Sequence, residues 1–201
     1  MALRYIALGD SYTIGTGVGY RDRWPDQLVA ALGPNEPTID LVANLGVNGY
    51  TTGDLIRHEL PALDRLRPEV VTLLIGVNDV VRGIATTAYV ANLRTILDEL
   101  VGRVGAERIV TVAVPDYTVT PAGADYGDPA QRHDGIVAAN TEMAREAADR
   151  GVAFVDIFDV SLLARDDRTL VAADGLHPSG RQYGLWVDRI APVVEGRIGR
   201  R

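Results

Sequence analysis

Short apolar runs alternate along this chain with longer stretches in which apolar residues recur every three or four positions. Residues 5–8, 70–75 and 109–114 are continuous apolar runs rich in β-branched side chains, which suits strands buried on both faces of a parallel sheet. Residues 39–43 and 153–157 are weaker runs of the same kind. Tyr89, Leu93, Ile96, Leu97, Leu100 and Val104 fall at helical spacing, so 89–104 is predicted as an amphipathic helix. A second helix is predicted over 136–150, stopped by Gly151. The last is predicted over 182–198, with Pro192 expected to kink or interrupt it. This alternation of strands and helices predicts an α/β fold with a parallel sheet. One long stretch, 115–134, is rich in Pro, Gly, Asp and Thr. Loops of that length are often functional, so it either borders a substrate site or is a surface excursion.

At 201 residues the chain is predicted to form one domain over 1–201, long enough to bury roughly 70% of its unfolded surface. Its 47% hydrophobic and 23% charged residues are ordinary for a globular protein. The net charge is −7, and all twenty basic residues are scattered arginines, so no basic stripe offers a surface to nucleic acid. The same acidity gives no attraction to anionic lipid headgroups. With no cysteine, disulfides, thiolate chemistry and cysteine-ligated zinc are excluded. No apolar stretch approaches the ~20 residues that span a bilayer, and no signal-peptide pattern precedes the first strand. The expectation is a cytoplasmic protein without stable membrane association, although a trimmed secreted form would read the same.

The candidate chemistry sits just after the predicted strands. Ser11 follows the first, in Gly9-Asp10-Ser11-Tyr12, and Asp174-Gly175-Leu176-His177 closes the last long loop. The chain has only three serines and three histidines, so this pairing is not drawn from a crowd. Asn44-Leu45-Gly46-Val47-Asn48-Gly49 and Gly76-Val77-Asn78-Asp79 also follow predicted strands. Open parallel sheets build their sites outside the carboxyl ends of the strands, so Ser11, Gly49 and Asn78 are expected in one crevice within reach of the 174–177 loop. A serine hydroxyl needs a base to act as a nucleophile. Imidazole, whose ordinary pKa is ~6.5, suits that role, and Asp174 can hold the ring of His177 in the useful tautomer. Backbone N–H groups at Ser11 and Gly49 and the side-chain N–H of Asn78 are candidate donors to a developing oxyanion. Losing one such donor typically costs ~10²–10³ in turnover.

In this order and spacing the four blocks resemble the SGNH/GDSL hydrolase superfamily, over residues 8–186. The resemblance implies a three-layer α/β/α sandwich, flavodoxin-like, around a central parallel sheet of about five strands. It implies a serine esterase with Ser11 as nucleophile, His177 as base, Asp174 as its partner, and an oxyanion hole of Ser11, Gly49 and Asn78. The substrate would be a small carboxylic ester with a short acyl or O-acetyl group; thioester and lysophospholipid cleavage are alternatives within the family. No metal and no organic cofactor is expected. Tyr12 stands where the family most often has leucine, a departure that bears on substrate fit. Gly46 competes with Gly49 for the second block's role. Thr13 stands where a Gly-x-Ser-x-Gly elbow would have its second glycine, which weighs against the ordinary α/β-hydrolases.

Two other functions compete. In a flavodoxin-like binding module, the hydroxyls of Ser11, Thr13 and Thr16 would cradle a phosphate. A degenerate hydrolase would only bind carbohydrate or a protein partner. Glycines 15, 17 and 19 lack the ending of a P-loop and are read as loop flexibility. His58 is expected on a solvated helix face. His133, near Asp125, Asp128 and Asp134, fits no zinc or calcium spacing and is expected in a solvated acidic loop. Tyr12, Tyr117, Tyr126 and Trp24 are candidates to line an acyl or sugar pocket, with core packing the safer reading for Trp24.

Overall fold

The computed structural model describes residues 2–33 and 37–199. All five expected strands form: β1 (Leu3–Gly9), β2 (Ile39–Asn44), β3 (Val70–Leu74), β4 (Ile109–Val112) and β5 (Ala153–Val155). They make one parallel sheet in the order β2-β1-β3-β4-β5. The chain moves outward from β1 to β2 and then crosses back to place β3 on the other side of β1. Ligand sites in such sheets lie at this reversal, outside the carboxyl ends of the strands.

Alternation along the strands explains the layers. Tyr5, Ala7, Val70 and Leu74 face one apolar cluster, which α2 (Trp24–Leu32) and α9 (Gly180–Ile198) cover with Trp24, Leu28, Trp186 and Ile190. Ile6, Leu8, Val71 and Leu73 face the other, where α3 (Thr52–His58), α6 (Thr86–Val104) and α7 (Pro129–Ala148) supply Leu55, Ile96, Leu97 and Met143. The continuous apolar strands therefore have helices on both sides, and the architecture is the expected three-layer sandwich. Short helices α1 (Ser11–Ile14), α4 (Leu63–Leu66), α5 (Val77–Val81) and α8 (Phe158–Leu162) complete the set among the described residues. None of the described helices is long and apolar enough to cross a membrane.

Three expectations need correction. The expected interruption of the last helix does not occur: α9 is continuous through Pro192. Pro192 and Asp188, whose carbonyl loses its usual partner, both lie on the exposed face, so water can satisfy that carbonyl. Helix α7 starts seven residues before position 136, because Asp128 caps it by accepting the Gln131 N–H at 2.8 Å and Pro129 takes a first-turn position. The irregular stretch therefore ends at Asp128 rather than Asp134. Strand β4 stops at Val112 because Val114 leaves the ladder for a side chain: Asn140 accepts its N–H at 2.7 Å and donates to its carbonyl at 2.9 Å.

Candidate active site

Ser11 opens α1 directly beyond β1. The turn into it is possible because Gly9 adopts a φ of +151°, and any Cβ there would collide with the Leu74 carbonyl and the Thr13 hydroxyl. Asp10 caps the helix by accepting the Tyr12 N–H at 3.0 Å. Ser11 itself is 8% exposed, and the little it shows opens on a cleft.

Asn78 lies in the first turn of α5, beyond β3. Its side-chain amide donates to the Tyr50 carbonyl at 2.9 Å, which fixes its orientation and leaves the second N–H uncommitted. The neighbouring Asp79 accepts the Thr52 N–H at 2.9 Å and bonds the Thr52 hydroxyl at 2.5 Å, tying the end of β3 to the start of α3. Burial raises the Asp79 carboxyl above its ordinary value.

His177 and Asp174 sit in a loop closed by an antiparallel bridge between Val171 and Pro178. Gly175 takes the left-handed φ of +75° that the turn requires. Oδ1 of Asp174 accepts the N–H groups of Leu176 at 2.9 Å and His177 at 3.0 Å, and Oδ2 lies 2.6 Å from Nδ1 of the His177 ring. Partial burial pushes the Asp174 carboxyl up, but the hydrogen bonds from Leu176 and His177 outweigh it and hold the group below the usual range. With Nδ1 engaged, Nε2 is the ring nitrogen left for chemistry. The ring rests 5.3 Å from that of Tyr12.

Ser11, Asn78 and His177 thus line one cleft, together with Tyr12, Val77 and Val81. Leu176, Tyr117 and Tyr126 complete the wall around about 270 Å³ of space, open solvent at the mouth included. Tyr117 and Tyr126 come from the irregular stretch and pack edge to face at 6.0 Å, so that stretch borders the cleft. Trp24 is fully buried in the core.

Gly49 does not line the cleft. It adopts a φ of +79°, and its carbonyl accepts from Arg82 at 2.7 Å. Gly46 allows a close backbone approach instead. A Cβ there would lie 2.7 Å from both the Asp10 carbonyl and the Ile14 nitrogen, so the second block packs against the Ser11 helix. Asn44 secures that contact by donating to the Thr13 carbonyl at 2.6 Å.

Among the histidines set aside, His58 is exposed, with its ring 5.7 Å from that of Tyr50. His133 is not simply solvated: its Nδ1 lies 2.6 Å from Oδ2 of the fully buried Asp116 side chain. Nothing in the local sequence pairs residues so far apart. Sequence reasoning also missed the buried carboxyls of Asp10 and Glu59. No group of three or more potential metal ligands occurs among the described residues.

A parallel α/β sheet with a serine, an asparagine and an aspartate-bound histidine at its carboxyl edge has the parts an acyl hydrolase needs. The chain belongs to the GDSL-like lipase/acylhydrolase family, whose profile matches residues 7–185. An arylesterase of Vibrio mimicus is 28% identical over 94 residues, 47% of this chain and 46% of that protein, so the match spans about half the relative's length. The fold is similar to that of TesA, with a TM-score of 0.73 at 21% identity over 96% of this chain and 99% of that one. It is also similar to a catalytic mutant of Axe2, an acetylxylan esterase from Geobacillus stearothermophilus. There the TM-score is 0.72 at 19% identity, covering 100% of this chain and 97% of the other.

Proposed function

We propose that this member of an acylhydrolase family is a single-domain serine esterase that cleaves small carboxylic esters through an acyl-enzyme on Ser11. One observation carries the reading: Ser11, Asn78 and the Asp174-bound His177 face a common cleft. His177 Nε2 takes the Ser11 proton as Oγ attacks the ester carbonyl carbon, and Asp174 stabilises the resulting imidazolium. The carbonyl oxygen, now an oxyanion, accepts from the Ser11 N–H and the free N–H of Asn78, the two expected donors that line the cleft. Collapse expels the alcohol, which leaves with the proton held by His177. Water, deprotonated by the same ring, then attacks the acyl carbon and releases the acid and Ser11.

The aromatic wall of Tyr117 and Tyr126 favours a short acyl group, acetyl foremost. Aryl acetates and acetylated sugars are the alcohol partners to try first, given the arylesterase and acetylxylan esterase among the relatives. Initial rates on p-nitrophenyl esters from acetate to laurate, for wild type and Ser11→Ala, test the reading. The expected result is Ser11-dependent hydrolysis that falls as the acyl chain lengthens. Equal rates for the two proteins would remove Ser11 as nucleophile, and a preference for laurate would overturn the short-acyl assignment.

A further inference from the structure

Two carboxyl groups are buried against the turn that carries Ser11, and the acyl transfer described above uses neither. Asp10 is fully buried; Oδ1 accepts the Tyr12 N–H at 3.0 Å, while Oδ2 is buried without a partner. Glu59, 2% exposed and placed just after α3, reaches the end of β1. Its Oε2 accepts the Gly9 N–H at 2.9 Å, and Oε1 is buried without a partner. The two acids therefore hold the backbone N–H groups of Gly9 and Tyr12, which bracket the nucleophile.

The groups around the pair add no compensating positive charge. Asp10 feels Asp79, Tyr12 and Tyr183, and Glu59 feels Asp10. Burial, with Asp79 adding to it, pushes Asp10 up to about 8. Burial, with Asp10 adding to it, pushes Glu59 up to about 9. A buried carboxylate oxygen with neither counter-ion nor donor is costly, and a proton on it removes the charge. A second negative charge beside Ser11 would also repel the oxyanion that forms at the Ser11 N–H.

We propose that Asp10 and Glu59 are positioning residues that keep residues 9–12 in catalytic geometry only while at least one of their two unpartnered oxygens carries a proton. This rests on Ser11 being the nucleophile. Two consequences separate it from simple packing. Turnover falls once both acids ionise, roughly tenfold for each pH unit beyond that point. Stability follows a different course. Folded-state values raised above the unfolded 3.8 and 4.5 mean that the native state holds protons the unfolded chain has released. The pair's contribution is therefore largest in acid, declines as pH rises toward 8–9, and levels off above.

The test is kcat for p-nitrophenyl acetate from about pH 6 to about pH 10, with spontaneous hydrolysis subtracted, alongside thermal melts from about pH 5 to about pH 9. Wild type, Glu59→Gln and Asp10→Asn are compared; each amide keeps an acceptor oxygen and cannot ionise. The expected result is a wild-type alkaline fall that both variants lack, and a Tm difference between Glu59→Gln and wild type that grows with pH. An alkaline fall unchanged in both variants, or a constant Tm difference, overturns the proposal. Where a variant folds poorly, wild type decides: kcat that stays level to about pH 10 overturns it. Melts of Ser11→Ala separate the two readings. They carry the same carboxyl titration even if Ser11→Ala hydrolyses the ester as fast as wild type, a result that would count against the nucleophile alone.

Discussion

The Asn78 side chain donates to the carbonyl of Tyr50, the residue after Gly49, at 2.9 Å. The block that carries Asn78 is thereby tied to the block that carries Gly49, and the amide is held with one N–H fixed and one free. Asn78→Ala removes the free donor from the proposed oxyanion hole. The expected effect is a loss of ~10²–10³ in kcat with little change in KM. Steady-state kinetics on p-nitrophenyl acetate measure it, and a folded variant with wild-type kcat would take Asn78 out of the mechanism.

Asp174→Asn keeps the side chain's size but loses the charge that faces His177 Nδ1. Turnover at neutral pH is expected to drop, by up to ~10⁴ where the wrong tautomer results. The stability effect has a defined sign. Hydrogen bonds from Leu176 and His177 overcome burial and hold the Asp174 carboxyl below its unfolded 3.8, so its contribution is complete above that value and disappears as pH falls through the folded one. The Tm deficit of Asp174→Asn should therefore shrink in acid. A deficit that widens as pH drops would contradict the assignment.

Gly46 packs against the helix that carries Ser11, at the Asp10 carbonyl and the Ile14 nitrogen. Both are backbone atoms with no soft neighbour to yield, so Gly46→Ala is expected to cost about 1–3 kcal/mol and to lower kcat by shifting Ser11. Urea unfolding and kinetics on one preparation measure both. Unaltered stability would mean that the contact relaxes freely.

Two histidine–aspartate pairs occur among the described residues, and they should behave differently. His177→Ala is expected to abolish turnover. His133 faces none of the proposed reacting groups, so His133→Ala should keep kcat within about threefold while reducing stability by ~1–3 kcal/mol, because Asp116 loses a hydrogen-bond partner in the interior. Comparable kcat losses in the two variants would implicate His133 in catalysis.

Strands and the two apolar clusters were legible because Tyr5 to Leu8 and Val70 to Leu74 are apolar at every position but Thr72, whose hydroxyl pairs with that of Tyr5 at 2.7 Å. The start of α7 was hidden because residues 129–135 are polar or small, and its only signal was the Asp128-Pro129 cap. Ser11, Asn78 and His177 could be gathered from their places after strands and in the last loop. Pairs such as Gly9 with Glu59 and Asp116 with His133 could not, since only the folded chain joins helix, strand end and loop. The burial that moves Asp10 and Glu59 likewise has no local sequence signature.

Covalent capture of the nucleophile is the most direct test of the central claim. The protein is treated with an alkyl fluorophosphonate, and intact mass with peptide mapping locates the adduct. Wild type is expected to gain one adduct on Ser11 and lose activity in step, while Ser11→Ala and His177→Ala take up essentially none. An adduct on another residue, or full inactivation with Ser11 unmodified, would contradict the claim.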